Sequence, residues 1–356
     1  MTELSDLPLR ESLRGRKPYG APQLEVPVAL NVNENTHPIP DEVVQDILER
    51  ISITLGTLNR YPDREFTKLR QALADYLGHG LSIDQIWAAN GSNEVIQQVF
   101  QAFGGPGRSA LGFAPTYSMY QLIAQGNDTK YFDGPRGPRY ELSAELAVET
   151  VSKFRPDITL LCSPNNPTGT PLDLKVIEAV YENTEGIVLV DEAYAEFANP
   201  HSPSAITLLA GRPRLLVSRT MSKAFAFAGA RLGYLAADPA AIDALRLVRL
   251  PYHLSALTQA AAEAALAHAE TMLAAVDDIR VQRDRIVAEL GNLGLDPFES
   301  DANFVLFGGV DSERVWQALL NDGVLVRNVG IPGTLRVTAG TAAETDAFLK
   351  SLRAAL

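Results

Sequence analysis

Four short segments carry residue types able to do chemistry together. They are Gly91-Ser92-Asn93-Glu94, Ser163-Pro164-Asn165-Asn166-Pro167-Thr168-Gly169, Asp191-Glu192-Ala193-Tyr194, and Ser218-Arg219-Thr220-Met221-Ser222-Lys223, which trails on to Arg231. Lys223 lies in a stretch with little other charge before Arg231. A lysine in apolar surroundings sheds its proton more readily and offers a nucleophilic amine. Taken alone it reads as a surface lysine, and only its company argues otherwise. Asp191 closes the apolar run Ile187-Val188-Leu189-Val190, so a buried carboxylate can be held rigidly there; a cap on the next segment is the other reading. A nucleotide-binding acid of Walker-B type would also fit that place, but it needs a Gly-Lys phosphate loop, and the chain has no Gly-Lys pair. Gly91-Ser92-Asn93-Glu94 follows an apolar run and opens a helix. The free N–H groups there either receive a phosphate or simply make a helix cap.

Hydroxyls of Thr220 and Ser222 and the cation of Arg231 would complete such a phosphate cup. A turn must bring Arg231 back, and Gly229 is expected to permit it. Asn166 and Tyr194 are apt hydrogen-bond partners for a ring hydroxyl, and Tyr117 offers an aromatic face, with ordinary packing as the alternative for each tyrosine. Pyridoxal phosphate (PLP) asks for such a set. It needs an amine to anchor its aldehyde and an anion site for its phosphate. It also needs a buried carboxylate beside its pyridine nitrogen, so that the protonated ring absorbs charge left on a substrate carbon.

The bulk composition narrows the partners. The formal net charge is −12 and the pI about 5.0, a field that repels phosphodiester backbones, so no nucleic acid is expected. Any phosphate must be held locally against that field. A single cysteine, Cys162, excludes an internal disulfide and a cysteine-based metal cluster, and the five histidines lack metal-ligand spacing. No metal is expected. The first residues lack the apolar core of a signal peptide, and no apolar run approaches the roughly 18 residues needed to span a bilayer. The expectation is a cytoplasmic protein without membrane contact.

These residues must be positioned by a scaffold. At 356 residues the chain favours two domains. Residues 1–40 are rich in Pro, Asn and Gly and read as an irregular arm reaching the small domain and the site. Pro40 and Asp41 open a helix with apolar Val43, Val44, Ile47, Leu48 and Ile51, and a second helix is expected from an Asp63 N-cap to Gly78 and Gly80. From Ile86 the apolar runs 86–89, 158–162, 187–190 and 215–217 alternate with helical stretches. That texture predicts an α/β domain with a largely parallel, doubly covered sheet, with ligands at the strand ends. It is expected over 41–254, and Gly104-Gly105-Pro106-Gly107 reads as a loop within it. A smaller α+β domain is expected over 255–356, with helices at 255–270 and 271–291, strands at 303–307, 324–327 and 335–338, a helix from Asp311 to Gly323, and a last helix behind the capping pair Thr341 and Glu344.

At these residues the chain resembles the fold-type I PLP aminotransferases, and most closely the histidinol-phosphate aminotransferase family. The motifs are "LNVNENTHPIP" (30–40), "RYPD" (60–63), "NGSNE" (90–94), "SPNNPTG" (163–169), "VDEAYAEF" (190–197), "SRTMSKAFAFAGARLGY" (218–234), "ANFVLF" (302–307) and "LRVTAGT" (335–341), in family order and over nearly the whole chain. The resemblance implies that Lys223 carries the cofactor, Asp191 pairs with its pyridinium nitrogen, Asn166 and Tyr194 bind its 3-hydroxyl, and Tyr117 stacks on the ring. It implies that Ser92, Asn93, Thr220, Ser222 and Arg231 hold the phosphate. Tyr61 would reach the site of a neighbouring subunit, so a homodimer with shared sites follows. Arg336, assisted by Arg327, would bind the acidic end of the substrate, and Tyr19, Asn33 and Asn303 would line the substrate pocket. The implied substrates are glutamate and 2-oxoglutarate on one side and L-histidinol phosphate and imidazole-acetol phosphate on the other. The arm departs from the family pattern at Asn35-Thr36-His37, where Pro and an aromatic residue usually follow the Asn.

Three rivals remain. An aromatic amino-acid aminotransferase of the same fold would use Arg336 for the carboxylate of phenylpyruvate. A decarboxylase of phosphorylated amino acids shares the fold. A transcription regulator with an aminotransferase-like domain would need a DNA-binding module before residue 31, and the net charge of −12 disfavours it.

Overall fold

The computed structural model describes residues 4–15, 20–200 and 202–356. In chain order, the arm contributes β1 (Val28–Ala29), followed by α1 (Asp41–Leu55) and α2 (Thr67–Leu77). Next come β2 (Ile86–Ala89), α3 (Ser92–Phe103), β3 (Ser109–Phe113), α4 (Met119–Gly126), β4 (Lys130–Gly134) and α5 (Ala144–Phe154). Then follow β5 (Ile158–Cys162), α6 (Leu174–Glu182), β6 (Ile187–Asp191), β7 (Leu215–Thr220), β8 (Gly233–Ala237) and α7 (Pro239–Val248). The remainder is α8 (Ala256–Ala267), α9 (Ala269–Leu273), α10 (Ala275–Asn292), β9 (Asp296–Pro297), β10 (Phe304–Gly308), α11 (Ser312–Asn321), β11 (Val324–Leu325), β12 (Leu335–Thr338) and α12 (Ala342–Ala355).

Strands β2 to β8 form one sheet in the order β2-β8-β7-β6-β5-β3-β4. Only β8 runs antiparallel to its neighbours β2 and β7; the rest of the sheet is parallel. Every residue of β2, β5, β6 and β8 is buried, so both faces of the sheet are covered. The expected α/β architecture is therefore present, and the carboxyl ends of β3, β5, β6 and β7 lie along one edge, where such sheets place ligands. A second, antiparallel sheet has the order β12-β10-β9, and the expected loop at 104–107 is free of helix and strand.

Several boundaries differ from expectation for local reasons. The second helix begins at Thr67 rather than beside Asp63, because Phe66 stands before it in a left-handed conformation, φ 39°. Asp63 still serves the helix entry: its carboxylate accepts from the backbone N–H groups of Glu65 (2.9 Å) and Thr67 (2.7 Å). The helical stretch after 255 breaks at His268, whose φ of −115° leaves the helical range. Strand β11 stops at Leu325 and pairs in parallel with β1 of the arm, not with β12. Arg327 joins the sheet edge only through a bridge to Arg336. The arm is thus stitched to the C-terminal part of the chain, and Leu30 continues the stitch by accepting from Thr338 N–H at 2.9 Å.

Candidate active site

Asp191 is the last residue of β6, and its side chain is 2% exposed. One carboxylate oxygen accepts from the Tyr120 hydroxyl at 2.8 Å, the other from Ser218 Oγ at 3.2 Å. Burial still dominates and pushes the Asp191 carboxyl up to about 6, while the two hydroxyl donors pull the other way. Such a carboxylate is poorly satisfied as an anion unless a cation faces it. Lys223 follows β7 in the turn that starts at Met221. Its Nζ donates to the Val32 carbonyl at 2.9 Å. Burial, then the positive charge of Arg336, lowers the Lys223 ammonium to about 8, and Glu34 acts against them. A substantial fraction of neutral amine near neutral pH is the result, which is what a nucleophile or general base needs.

Gly91 (φ 88°) precedes Ser92 and Asn93, which begin α3 with their N–H groups unspent by the helix. Opposite them, Thr220 Oγ1 and Ser222 Oγ lie 3.0 Å apart, and Arg231 Nη1 donates to Ser222 Oγ at 3.3 Å. The glycines here are steric requirements. A Cβ on Gly91 would meet Arg231 Nη2 at 2.5 Å, and a Cβ on Gly233 would lie 2.1 Å from Ser92 N. Backbone amides, hydroxyls and a guanidinium thus close on one spot, a fit for the phosphate of PLP. Tyr117 leans over the cleft and donates its hydroxyl to Asn93 Oδ1 at 3.1 Å. Asn166 and Tyr194 meet, Asn166 Nδ2 donating to the Tyr194 hydroxyl at 3.2 Å.

One cleft is lined by Ser92, Asn93, Tyr117, Asn166, Asp191, Tyr194, Thr220, Ser222, Lys223 and Arg231, together with Cys162 and Ala193. Every cofactor residue expected from the sequence is there except Tyr61. Tyr61 is 80% exposed and stacks on Tyr252, with ring centroids 4.4 Å apart. Of the residues expected around the substrate, Asn33, Asn303, Arg327 and Arg336 are not among those lining this cleft. Arg336 is buried and donates to Asn166 Oδ1 (2.6 Å) and to the Asn31 carbonyl (2.9 Å). Asn303 donates to the Asn33 carbonyl at 3.1 Å, and Asn33 donates to the Tyr194 hydroxyl at 2.9 Å. Arg327 is half-buried and exchanges two backbone hydrogen bonds of 2.9 Å with Arg336. Tyr19 lies outside the described residues.

The turn that returns Arg231 passes through Gly229 but does not need a glycine there. Its left-handed residues are Ala226 (φ 52°) and Arg231 itself (φ 59°), and Gly229 has open space where a Cβ would go. Gly229→Ala should therefore change stability by less than about 0.5 kcal/mol. Gly91→Ala should weaken PLP binding at least about tenfold, since a Cβ displaces the guanidinium from the cup. Thermal melts and equilibrium dialysis of PLP on the two variants check this contrast.

Tyr120 escaped the sequence reading. It is fully buried in α4, its ring packs edge-on against Tyr117 at 5.4 Å, and its hydroxyl fixes the Asp191 carboxylate. The only available signal was its position three residues after Tyr117, just inside the start of α4. Cys162, at the end of β5, was noted only as an absent disulfide partner; burial pushes its thiol up to about 12, so it is an inert wall.

Residues 25–352 match the family described as aminotransferase class I and II. A histidinol-phosphate aminotransferase of Paenarthrobacter aurescens (strain TC1) is 64% identical, covering 100% of this chain and 97% of that protein. One from Thermobifida fusca (strain YX) is 54% identical, covering 98% of this chain and 95% of the other. Among solved structures, histidinol-phosphate aminotransferase from Sinorhizobium meliloti, in complex with pyridoxal-5'-phosphate, superposes with a TM-score of 0.84 at 25% identity, covering 93% of this chain and 92% of that one. The chain belongs to the class I and II aminotransferases, and within them to the histidinol-phosphate aminotransferase family.

Proposed function

We propose that this protein is a PLP-dependent aminotransferase that exchanges an amino group between glutamate and imidazole-acetol phosphate, giving 2-oxoglutarate and L-histidinol phosphate in histidine biosynthesis. The observation that carries the reading is the shared cleft. A lysine with a lowered proton affinity and a carboxylate with a raised one face the same space, beside a cup suited to one phosphate. When bound there, PLP supplies an aldehyde carbon for amines and a ring that withdraws the electron pair left when a substrate carbon loses its proton.

This chain's residues then have distinct tasks. Asp191 holds a proton at the ring nitrogen, and Tyr120 and Ser218 keep its carboxylate aimed. Lys223 would anchor the cofactor and, as a free amine, would take the proton from the substrate's Cα. Tyr117 covers the ring, Asn166 and Tyr194 hold its 3-oxygen, and Ser92, Asn93, Thr220, Ser222 and Arg231 hold the phosphate. Arg336, with Arg327 beside it, receives the substrate's anionic end; a planar cationic fork suits a carboxylate in one half-reaction and a phosphate in the other. Asn303, and Tyr19 from the arm, belong to the substrate pocket in this reading. Its scaffold is the arm 1–40, a large domain 41–254 and a small domain 255–356, a division supported by the seven-stranded sheet lying wholly within 41–254, the three-stranded sheet wholly within 255–356, and the β1-β11 pair that ties the arm to the latter.

The working unit is a homodimer. Ile53, Leu55 and Leu58 are exposed beside Tyr61, and Leu247 and Leu250 are exposed beside Tyr252, at 86% and 76%. The two segments are tied together by the Tyr61–Tyr252 stack and by Arg249 on Glu65. A second copy covering this apolar patch would carry Tyr61 toward its neighbour's cleft. No helix among the described residues is long and apolar enough to cross a membrane, and with the acidic net charge this supports a cytoplasmic enzyme.

A substrate panel with glutamate as donor tests the assignment. Imidazole-acetol phosphate should exceed phenylpyruvate in kcat/KM by on the order of 10²-fold, because buried polar groups reject a substrate that leaves them unpaired. Equal or better use of phenylpyruvate would give the protein to aromatic amino acids. Release of CO2 from a phosphorylated amino acid would make it a decarboxylase.

A further inference from the structure

The Tyr194 hydroxyl is a crossroads whose hydrogen positions can be deduced. Arg336 carries only donors, so the atom of Asn166 that faces it at 2.6 Å is Oδ1, and the Asn166 NH2 group must face Tyr194. Thr338 Oγ1 accepts from the Asn33 backbone N–H at 3.0 Å, so its own hydrogen is left for Asn33 Oδ1, 3.3 Å away. That turns the Asn33 NH2 group to Tyr194 as well, at 2.9 Å. Two amides therefore donate to one phenol oxygen. Its own O–H cannot point at either of them and is left for the cleft that Tyr194 lines.

Asn33 is built for this place. It is 2% exposed, holds a left-handed backbone at φ 56°, and is gripped by Thr338 at its N–H and by Asn303 at its carbonyl. Asparagine tolerates that conformation better than most residues. Its partner Tyr194 lies 161 positions away. The sequence reading had put Asn33 in the substrate pocket, whereas its amide is spent on a cofactor residue.

We infer that Asn33 is a positioning residue whose amide, oriented by Thr338, fixes the Tyr194 hydroxyl as a hydrogen donor into the cleft, toward the 3-oxygen of bound PLP. The inference rests on the PLP reading above. A donor at that oxygen stabilises its negative charge. Weakening the donor leaves more charge to retain the nearby proton, so the pH midpoint of the bound cofactor's visible absorbance change rises.

The test is a spectrophotometric pH titration of PLP-loaded protein. Asn33→Asp keeps the shape and the backbone tolerance but replaces the N–H donor with a carboxylate that captures the Tyr194 hydrogen. Its midpoint should rise by about one pH unit. Asn33→Gly keeps the left-handed backbone and removes the amide, and Thr338→Val removes the group that orients it; both should raise the midpoint by less. In a Tyr194→Phe background, the same changes at 33 should shift the midpoint no further, as coupling through one hydroxyl requires. Midpoints of the variants within about 0.2 of the parent, or equal shifts with and without the Tyr194 hydroxyl, would overturn the inference while leaving the PLP assignment standing. A parent protein that takes up no PLP would sink both.

Discussion

Lys223→Ala protein should lose transamination by about 10⁴-fold or more, while still binding PLP through the cup at the start of α3. Removing a positioned general base alone costs roughly 10² to 10⁴ in rate. Here the same side chain also anchors the cofactor, so its loss should take away both the covalent tie and the proton carrier. Among the described residues lining the cleft, none can substitute. The cleft's other cation, Arg231, is engaged by Ser222 Oγ and the Ala228 carbonyl, and a guanidinium does not act as a base near neutral pH. The Tyr194 hydroxyl is held well above its usual ionisation range by burial. The wild type adds a pH signature. Because the Lys223 ammonium is lowered to about 8, the fraction of reactive amine in cofactor-free protein grows as pH rises through that value, and the rate of PLP uptake should grow with it. Stopped-flow absorbance from pH 7 to 9 reads that rise, and a coupled assay for 2-oxoglutarate reads the loss in the variant. Residual turnover above about one per cent would mean that another group moves the Cα proton.

Much of this site could be read before the fold because its chemistry is concentrated at strand ends. Runs such as Ile158–Cys162 and Ile187–Asp191 are wholly buried on both faces, so they appear as unbroken apolar stretches followed by polar motifs. Strands without that signature were missed. β4 is an edge strand with exposed Lys130 and Asp133, and β3 carries Gly112, whose absent Cβ makes room for the Tyr131 hydroxyl. β8 starts at Gly233, a glycine required by the close backbone of Ser92 rather than by a turn. The emphasis on Gly229, which lies in the turn without needing to be glycine, has the same root. Composition marks glycine as the turn-maker, yet Ala226 and Arg231 take the left-handed conformations, held by Phe227 N–H on the Met221 carbonyl and Arg231 N–H on the Phe227 carbonyl. Tyr120 and Asn33 were illegible in their roles for a different reason. What each does depends on a partner 71 or 161 residues away, and no local pattern encodes where a buried hydroxyl or amide points.

Asp191→Asn should move rate and stability in opposite directions. The carboxylate is 2% exposed, and burial raises its proton affinity from 3.8 to about 6 in the cofactor-free protein. The folded state therefore binds more protons than the unfolded chain between those values, and stability falls as pH rises across that window. Above about pH 6 the full penalty is present, on the order of 3 kcal/mol, at about 1.4 kcal/mol per pH unit. Asparagine carries no charge to bury. The cofactor-free variant should melt several degrees above the wild type at pH 8, and the gap should close as pH falls from 6 toward 4. Catalysis should go the other way. A neutral amide cannot hold the ring nitrogen protonated, and the cost is expected at about 10²-fold or more in kcat, with PLP still bound. Tyr120 belongs to the same balance: its hydroxyl at 2.8 Å offsets part of the burial, so Tyr120→Phe should raise the Asp191 proton affinity further and lower kcat without touching the phosphate cup. Differential scanning at pH 5 and pH 8, run beside steady-state rates, separates the two effects. A variant that melts like the wild type at both pH values and turns over at full rate would remove Asp191 from the centre of the site.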